Sequence, residues 1–364
     1  MEYYFTAKHS QSDLLKGDAT LKTIDAQAER LGPCKEVVLV SGVDYHGGGT
    51  NIAYATTHMH EIWKAKSIDA QTMVTVLDFG TGMRERWVKG TGTEKLSKQK
   101  FISGWCLLSK DLQGTVAPVL VPGGGDPGAD SISITHVYRH MEESGKSRPG
   151  TVTEFSIFSH SWVGGPIMFN TGERAVYKFG GALKEERDPL DHDARFWKDF
   201  NPTNMPNLPD FMAAFSATCF IKIWGCLAVT VYRNMINKAR KAPNDATLLG
   251  VPQADRTDWD TTPPTVYADN RPGIIDYLDH VARIQNYMHT LARISGRPVW
   301  GGAPGTGALL LDNGTWNWMY MPEYKLAYRG GSRVNDGPYY KNELNYMKST
   351  LGYTFSADWY MEYK

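Results

Sequence analysis

The sequence EVVLVS at Glu36–Ser41 is nearly all apolar and is followed at once by Gly42. A short apolar run bounded by a turn residue is typical of a strand buried on both faces of a parallel sheet. Residues 52–66 then place apolar side chains at helical intervals, and Thr72–Phe79 (TMVTVLDF) predicts a second buried strand. This β-α-β order indicates an α/β protein whose sheet is mainly parallel.

The same alternation continues through the chain. Residues 83–88 are expected to fold back on the second strand, and residues 89–130 form an irregular insertion. The later expected elements alternate between helix and strand: a helix over 133–143, a strand over 152–158, a short helix over 211–217, a strand over 220–224, a helix over 274–294 and a strand over 297–300. A long loop rich in proline and aspartate occupies 242–273. We therefore expect an α/β three-layer sandwich with a mainly parallel sheet.

Composition restricts the function. The 39 basic residues equal the 39 acidic ones, so there is no positive excess to bind nucleic acid or an anionic membrane. The longest apolar stretch, Cys219–Val231, is too short to span a bilayer, and the N-terminus lacks the features of a cleaved signal peptide. We expect a soluble protein that is cytoplasmic, or exported without a cleaved signal peptide.

The chain divides by composition into three parts. Residues 1–35 form an N-terminal extension, 36–312 the α/β domain, and 313–364 a C-terminal extension rich in aromatic residues. Large rings are most often buried, so this extension is expected to pack on the core. The alternative is that it offers a surface to a protein partner or an inhibitor.

Two strand ends carry residues suited to catalysis. The stretch TEFSIFSHSWVGGP (Thr153–Pro166) ends its strand at His160, and FIKIWGCLA (Phe220–Ala228) ends its strand at Cys226. In parallel sheets the functional site lies beyond the carboxyl ends of the strands. If the two strands are neighbours, both side chains face one crevice.

A cysteine attacks as its thiolate, and a nearby imidazole both favours the thiolate and later protonates the leaving group. His160 and Cys226 would therefore suffice for acyl transfer, with no metal and no organic cofactor. Gly225 allows close backbone approach, and the N–H groups of Cys226 and Ser161 are candidate donors to an oxyanion.

These strings resemble the caspase-like (clan CD) cysteine peptidases, and most closely the caspase-like domains of bacterial surface proteins that carry strand-S-H and strand-G-C motifs. The resemblance covers residues 36–312 and includes LARISGRPVW at Leu291–Trp300. It implies a caspase-like fold and hydrolysis of a protein or peptide substrate through a thioester, with His160 and Cys226 as the dyad. The family has glycine after the histidine, where this chain has Ser161; a serine would be strained there if the position required a positive φ.

Three further segments are expected to line the substrate pocket. Ser159 and Trp162 flank the histidine, and Asp44 and His46 follow the first strand. The loop containing Pro304, Gly305 and Thr306 resembles a nucleotide-binding loop but lacks its lysine and hydroxyl, so we expect it to line the pocket or simply to turn.

The sequence is also compatible with two other functions. Ser161 lies in a string similar to the nucleophile elbow of α/β-hydrolases, which would make the protein a serine esterase or lipase using His280 or His289. Alternatively, the chain is a non-catalytic caspase-like module that binds a partner. A bacterial effector or toxin would suit a soluble hydrolase of this kind.

Overall fold

The computed structural model describes residues 35–44, 49–64, 72–79, 83–88, 99–104, 134–168, 178–179, 182–183, 199–200, 205–227, 230–307, 309–312, 317–320 and 336–364. Within them, eight strands form one sheet. In chain order they are β1 (Lys35–Ser41), β4 (Thr72–Asp78), β5 (Met83–Val88), β6 (Gln99–Gly104), β7 (Val152–Phe158), β12 (Phe215–Ile223), β15 (Val299–Gly301) and β18 (Met361–Tyr363).

Shorter strands pair outside this sheet. They are β2 (Val43–Asp44) with β3 (Gly49–Thr50), β8 (His160–Trp162) with β9 (Gly165–Ile167), β10 (Lys178–Phe179) with β11 (Ala182–Leu183), β13 (Thr257–Asp258) with β14 (Thr265–Val266), and β16 (Leu309–Asp312) with β17 (Asn317–Tyr320). The helices of the described residues are α1 (Ile52–Lys64), α2 (Ile134–Ser147), α3 (Leu208–Ala214), α4 (Thr230–Lys241), α5 (Arg271–Arg283), α6 (Tyr287–Ser295) and α7 (Asp336–Ser349). None of these helices combines the length and the apolar character needed to cross a membrane.

The strand order of the sheet is β18-β15-β12-β7-β1-β4-β5-β6. The five strands from β15 to β4 run parallel, and β5, β6 and β18 are antiparallel to their neighbours. After β1 the chain first adds β4 on one side and then β7, β12 and β15 on the other. This reversal is the topological switch point of a doubly wound sheet, where ligands bind outside the carboxyl ends of the strands.

Side chains of β1 alternate between two apolar layers, as the period of a strand requires. Val37 and Leu39 pack with residues of α1 on one face, whereas Val38 and Val40 belong to the larger cluster that contains residues of α2 to α7 on the other. The predicted three-layer α/β sandwich with a mainly parallel sheet is thus confirmed.

The expected strands at 36–41, 72–79, 152–158 and 220–224 are present, and the predicted folding back of 83–88 is the antiparallel strand β5. The predicted insertion at 89–130 is described only at β6, and the rest of it lies outside the described residues, as do residues 1–34.

The predicted helix at 211–217 is misplaced. Helix α3 starts at Leu208 and ends at Ala214, because Phe215 already pairs with Val152 of β7 and starts β12. Local propensity favoured helix over these residues, and pairing within the sheet overrode it.

Two other predictions, for residues 242–273 and 274–294, were wrong in part. The single helix expected at 274–294 is two helices, α5 and α6, separated at Ile284–Asn286. The loop expected at 242–273 holds a 3-10 turn at Gln253–Arg256 and the β13–β14 hairpin, and α5 already begins within it at Arg271.

Candidate active site

Strands β7 and β12 are adjacent and parallel, so their carboxyl ends meet at one edge of the sheet. Ile157 pairs with Ile223, and the Trp224 amide donates to the carbonyl oxygen of Ile157 at 2.8 Å. His160 and Cys226 each follow this paired position by three residues. The structure therefore brings the ends of the two candidate segments together.

The His160 segment continues into a tight hairpin, in which Trp162 pairs with Gly165 across a two-residue turn. Hydrogen-bonded and non-hydrogen-bonded pairs alternate in such a hairpin, so the next pair, Ser161 with Pro166, exchanges no backbone bonds. The backbone N–H and C=O of Ser161 consequently point away from β9. The Cys226 thiol lies on that side, with its sulfur 3.9 Å from the Ser161 carbonyl oxygen.

Gly225 allows the close contact between the two segments. A Cβ atom at this position would lie 2.3 Å from Cβ of Ser161 and 2.6 Å from the carbonyl oxygen of Ser159. The Ser161 amide nitrogen would be 3.0 Å away. Distances of this kind are too short for any residue other than glycine, so the close backbone approach expected at Gly225 is present.

The turn at 302–306 borders the other side of Cys226. Leu227 donates its N–H to Thr306 and accepts from Gly305, each at 2.9 Å. A Cβ on Gly302 would come within 2.9 Å of the Leu227 nitrogen and 3.2 Å of the Cys226 carbonyl carbon. The backbone of Cys226 is thus enclosed by the β8–β9 hairpin and by this turn.

The residues expected to line a pocket are placed in different ways. The Ser159 hydroxyl donates to the carbonyl oxygen of His160 at 2.8 Å, and the Thr306 hydroxyl donates to Ala303 at 2.5 Å, so both already have internal partners. Trp162 is 7% exposed and belongs to the main apolar cluster.

Pro304 and Gly305 are buried, and Gly305 has φ of 79°, a left-handed conformation suited to glycine. Asp44 forms part of the short strand β2, and His46 lies outside the described residues.

Ser161 departs from the geometry expected of a nucleophile elbow. It lies in the extended strand β8, and the chain continues into β9 instead of a helix. Its side chain is buried, and its hydroxyl has no hydrogen-bond partner among the described residues, which include His280 and His289. His280 instead approaches Asp258 at 3.0 Å.

The backbone conformation of Ser161 does not require the glycine that the caspase-like family has at this position. Among the described residues other than glycine, only Trp359 has a positive φ. A serine after His160 is therefore accommodated without backbone strain in this hairpin.

The two described cysteines differ sharply. Cys219 is 3% exposed, and burial, followed by the nearby charge of Glu154, raises its pKa far above the ordinary thiol range. Cys226 and His160 are both partly exposed. Of the two thiols, Cys226 is the one that is accessible to solvent.

Sequence reasoning missed two residues that contact this site. The hydroxyl of Tyr360 donates to the carbonyl oxygen of Trp224 at 2.8 Å, and that of Tyr363 to Gly302 at 2.5 Å. Density of aromatic residues after position 313 was the available signal, and it indicated burial without saying where. Within the described ranges, no group of three or more histidine, cysteine, aspartate or glutamate side chains lies close enough together to hold a metal ion.

The chain was compared with known protein families, with curated proteins and with solved structures. No family model matches it, and neither a curated protein nor a solved structure shows a significant similarity.

Proposed function

We propose that this chain is a cysteine hydrolase, a peptidase of caspase-like arrangement, in which Cys226 is the nucleophile and His160 the acid and base. The observation that carries the proposal is the 3.9 Å contact between the Cys226 sulfur and the carbonyl oxygen of Ser161, the residue next to His160. It occurs at the carboxyl edge of two adjacent parallel strands, one strand away from the switch point between β1 and β7.

The proposed reaction is acyl transfer to sulfur followed by hydrolysis. The Cys226 thiolate attacks the peptide carbonyl carbon, a C–S bond forms, and the π electrons move onto oxygen. The N–H groups of Cys226 and Ser161 are the proposed donors to that oxyanion. The C–N bond then breaks as His160 gives its proton to the departing amine, which leaves a thioester. His160 next removes a proton from water, whose oxygen displaces the sulfur and restores the thiolate.

Two features of the chain support thiolate chemistry at this position. The Cys226 segment leads within four residues into α4, which begins at Thr230. N-terminal backbone N–H groups of a helix carry partial positive charge, which favours a nearby thiolate over a thiol. Cys226 is also partly exposed, so a substrate carbonyl has access to it.

The test is selective labelling followed by peptide hydrolysis. The intact protein is treated with an acyl-type electrophile at pH 7, modified peptides are mapped by mass spectrometry, and turnover is measured on a library of fluorogenic peptides. We expect labelling at Cys226 and not at buried Cys219. Cys226→Ala should abolish both labelling and turnover, whereas Cys219→Ala, the matched control, should preserve them.

A His160→Gln variant tests the second member of the dyad. Because general acid-base catalysis contributes about 10²- to 10⁴-fold, we expect this variant to lower turnover by at least about 100-fold. Fluorophosphonate labelling of Ser161 would favour a serine esterase instead. Absence of both labelling and turnover in the wild-type protein would favour a non-catalytic binding module and contradict the proposal.

A further inference from the structure

Two buried tyrosines near the C-terminus bind the two backbone segments that border Cys226. Tyr360 donates its hydroxyl to the carbonyl oxygen of Trp224, two residues before Cys226, at 2.8 Å. Tyr363 donates to the carbonyl oxygen of Gly302, in the turn on the other side, at 2.5 Å. Both side chains are almost completely buried, so each hydroxyl bonds to its carbonyl oxygen and not to water.

Each carbonyl belongs to a segment that fixes the backbone of Cys226. Trp224 directly follows β12, from which the Cys226 segment departs, and its N–H donates to the carbonyl oxygen of Ile157 of β7. Gly302 packs so closely against the backbone at Cys226 and Leu227 that a Cβ could not fit between them. A shift of either carbonyl would therefore shift the N–H and the sulfur of Cys226.

The segment that carries Tyr360 is itself held in a strained and well-bonded turn. Trp359 has φ of 63°, which is unfavourable for a bulky residue. Ser356 compensates, because its N–H donates to Tyr360 at 2.9 Å and its hydroxyl accepts from the Tyr360 N–H at 3.0 Å. Such strain persists only where the surrounding contacts determine the conformation.

A buried lysine of β12, Lys222, links the turn at 356–360 to the sheet. The ammonium group of Lys222 lies 2.5 Å from a carboxylate oxygen of Asp358, 3.5 Å from the ring centre of Trp224 and 3.9 Å from that of Tyr360. Cation-π contacts of a desolvated ammonium group are favourable and directional. The ammonium group of Lys222 thus contacts the ring of Tyr360, while the hydroxyl of the same tyrosine bonds to Trp224.

Burial, followed by the negative charges of Asp358 and of the Cys226 thiolate, raises the pKa of Tyr360 well above its ordinary value. Burial likewise raises the pKa of Tyr363 well above its ordinary value. Both hydroxyls therefore remain neutral donors throughout the pH range in which a thiol titrates.

We propose that Tyr360 and Tyr363 are positioning residues for Cys226. Their hydroxyl groups bond to the carbonyl oxygens of Trp224 and Gly302, and these bonds set the reactive geometry of the thiol. This inference rests on the proposed function, because it assigns a task to residues behind the same nucleophile. Small displacements of a reacting group lower rates steeply, so loss of one hydroxyl should affect reactivity more than it affects the fold.

The test uses the full-length variants Tyr360→Phe and Tyr363→Phe, which remove one oxygen each. Tyr353→Phe is the matched control, because Tyr353 is also a buried tyrosine near the C-terminus but its hydroxyl donates to Asp279 of α5. The rate of Cys226 alkylation by iodoacetamide is measured from pH 5.5 to 9.5 by peptide mapping, and thermal unfolding is recorded for every variant.

We expect Tyr360→Phe and Tyr363→Phe each to slow alkylation of Cys226 at pH 7 by about fivefold or more, the factor that corresponds to the net free energy of one hydrogen bond. The midpoint of the pH profile should also move upward. Tyr353→Phe should leave both rate and midpoint unchanged while lowering the unfolding temperature to a similar extent. A purely structural role would change unfolding alone.

The failures of the two proposals are distinguishable. If wild-type Cys226 alkylates with the pH profile of an ordinary thiol and His160→Gln has no effect on it, the proposed dyad is wrong. If wild-type alkylation depends on His160 but the Tyr360 and Tyr363 variants match Tyr353→Phe, the positioning inference alone is overturned. Should Tyr360→Phe fail to fold, Tyr363→Phe decides the question by the same comparison.

Discussion

Glu36 places a fully buried carboxylate at the beginning of the central strand β1. Such a group is costly to bury unless it is paired and hydrogen-bonded. It accepts from Thr75 at 2.5 Å, His140 at 3.1 Å, Ser144 at 3.0 Å and Arg148 at 2.8 Å, so β4, the C-terminal half of α2 and the residue that follows this helix converge on it. Although burial alone would raise it, the pKa of Glu36 lies well below its ordinary value, because His140 and then Arg148 stabilise the carboxylate.

Glu36→Gln should destabilise the protein strongly. The change removes the charge that compensates Arg148, and breaking a buried pair by removing one partner costs about 3 kcal/mol or more. Urea unfolding at pH 7 measures the difference in free energy. Glu142→Gln on α2 is the matched control, because the Glu142 side chain accepts a single exposed hydrogen bond from Asn207 and its loss should cost at most about 1 kcal/mol. Equal stability of the two variants would contradict this account of the network.

We also expect Glu36→Gln to change the pH dependence of the unfolding free energy. Because the pKa of Glu36 is lower in the folded than in the unfolded state, the folded protein binds fewer protons as the solution is acidified. The contribution of Glu36 is therefore complete at neutral pH and is lost as the pH falls below about 4.3, the value of an unfolded glutamate. Glu36→Gln should flatten this acid limb in a plot of unfolding free energy against pH.

At the scale of elements, sequence reasoning succeeded where the signal is local. Buried strands such as Glu36–Ser41 were predicted because an apolar run needs no knowledge of its partners. Helix α4 was not predicted, although Tyr232, Met235, Ile236 and Ala239 are buried at the spacing of one helical face, which is a signal that the sequence does contain. The break between α5 and α6 depends on the local side-chain bonds of one asparagine, and a continuous apolar pattern hides it.

Asn286 forms that break with three side-chain bonds. Its oxygen accepts from the N–H of His289 and caps α6 at 2.7 Å, while its amide nitrogen donates to Val281 and Ala282 at the end of α5. The side chain is completely buried, so no water replaces these partners. Asn286 thus closes one helix and opens the next.

We expect Asn286→Ala to cost about 3 kcal/mol of unfolding free energy, of which about 1 belongs to the cap and the rest to carbonyl groups left without a donor. Asn270→Ala is the matched control, because Asn270 caps α5 through a single bond to the Gly273 N–H and should cost about 1 kcal/mol. Chemical denaturation of both variants provides the comparison. If Asn286→Ala costs no more than Asn270→Ala, the break is not held by this side chain.

Across the whole molecule, the candidate site depends on pairings that the sequence does not specify. The ends of β7 and β12 were predicted to carry His160 and Cys226, and hydrophobic patterns sufficed for that. These patterns fix which face of a strand is buried and not which strands are neighbours. The addition of β18 to β15, which brings Tyr360 and Tyr363 behind Cys226, joins segments separated by more than fifty residues and has no local signal.

Lys222 is a charged residue within the apolar stretch Cys219–Val231, and its ammonium group binds Asp358, 136 residues later in the chain. The two partners differ in exposure, because the side chain of Lys222 is 4% exposed and that of Asp358 is 38% exposed. Removing Asp358 takes away the carboxylate that accepts the hydrogen bond of the buried ammonium group and leaves the charge of Glu154 nearby. Removing Lys222 leaves a carboxylate that water can reach.

The stability effects of the two substitutions should therefore be unequal. We expect Asp358→Asn to cost about 2 kcal/mol, less than the loss of one partner from a fully buried pair, because Asp358 is partly exposed and Glu154 keeps a negative charge near Lys222. Lys222→Met keeps the length and apolar packing of the chain, and replacing a buried charge in this way is often close to neutral, so we expect a loss below about 1.5 kcal/mol. Guanidinium chloride unfolding at pH 7 measures both, with Asp279→Asn as the control for an exposed pair, because Asp279 and its partner Arg283 are 43% and 53% exposed. A larger loss in Lys222→Met than in Asp358→Asn would show that the aromatic contacts of the ammonium group, and not the carboxylate, hold the C-terminal turn against the sheet.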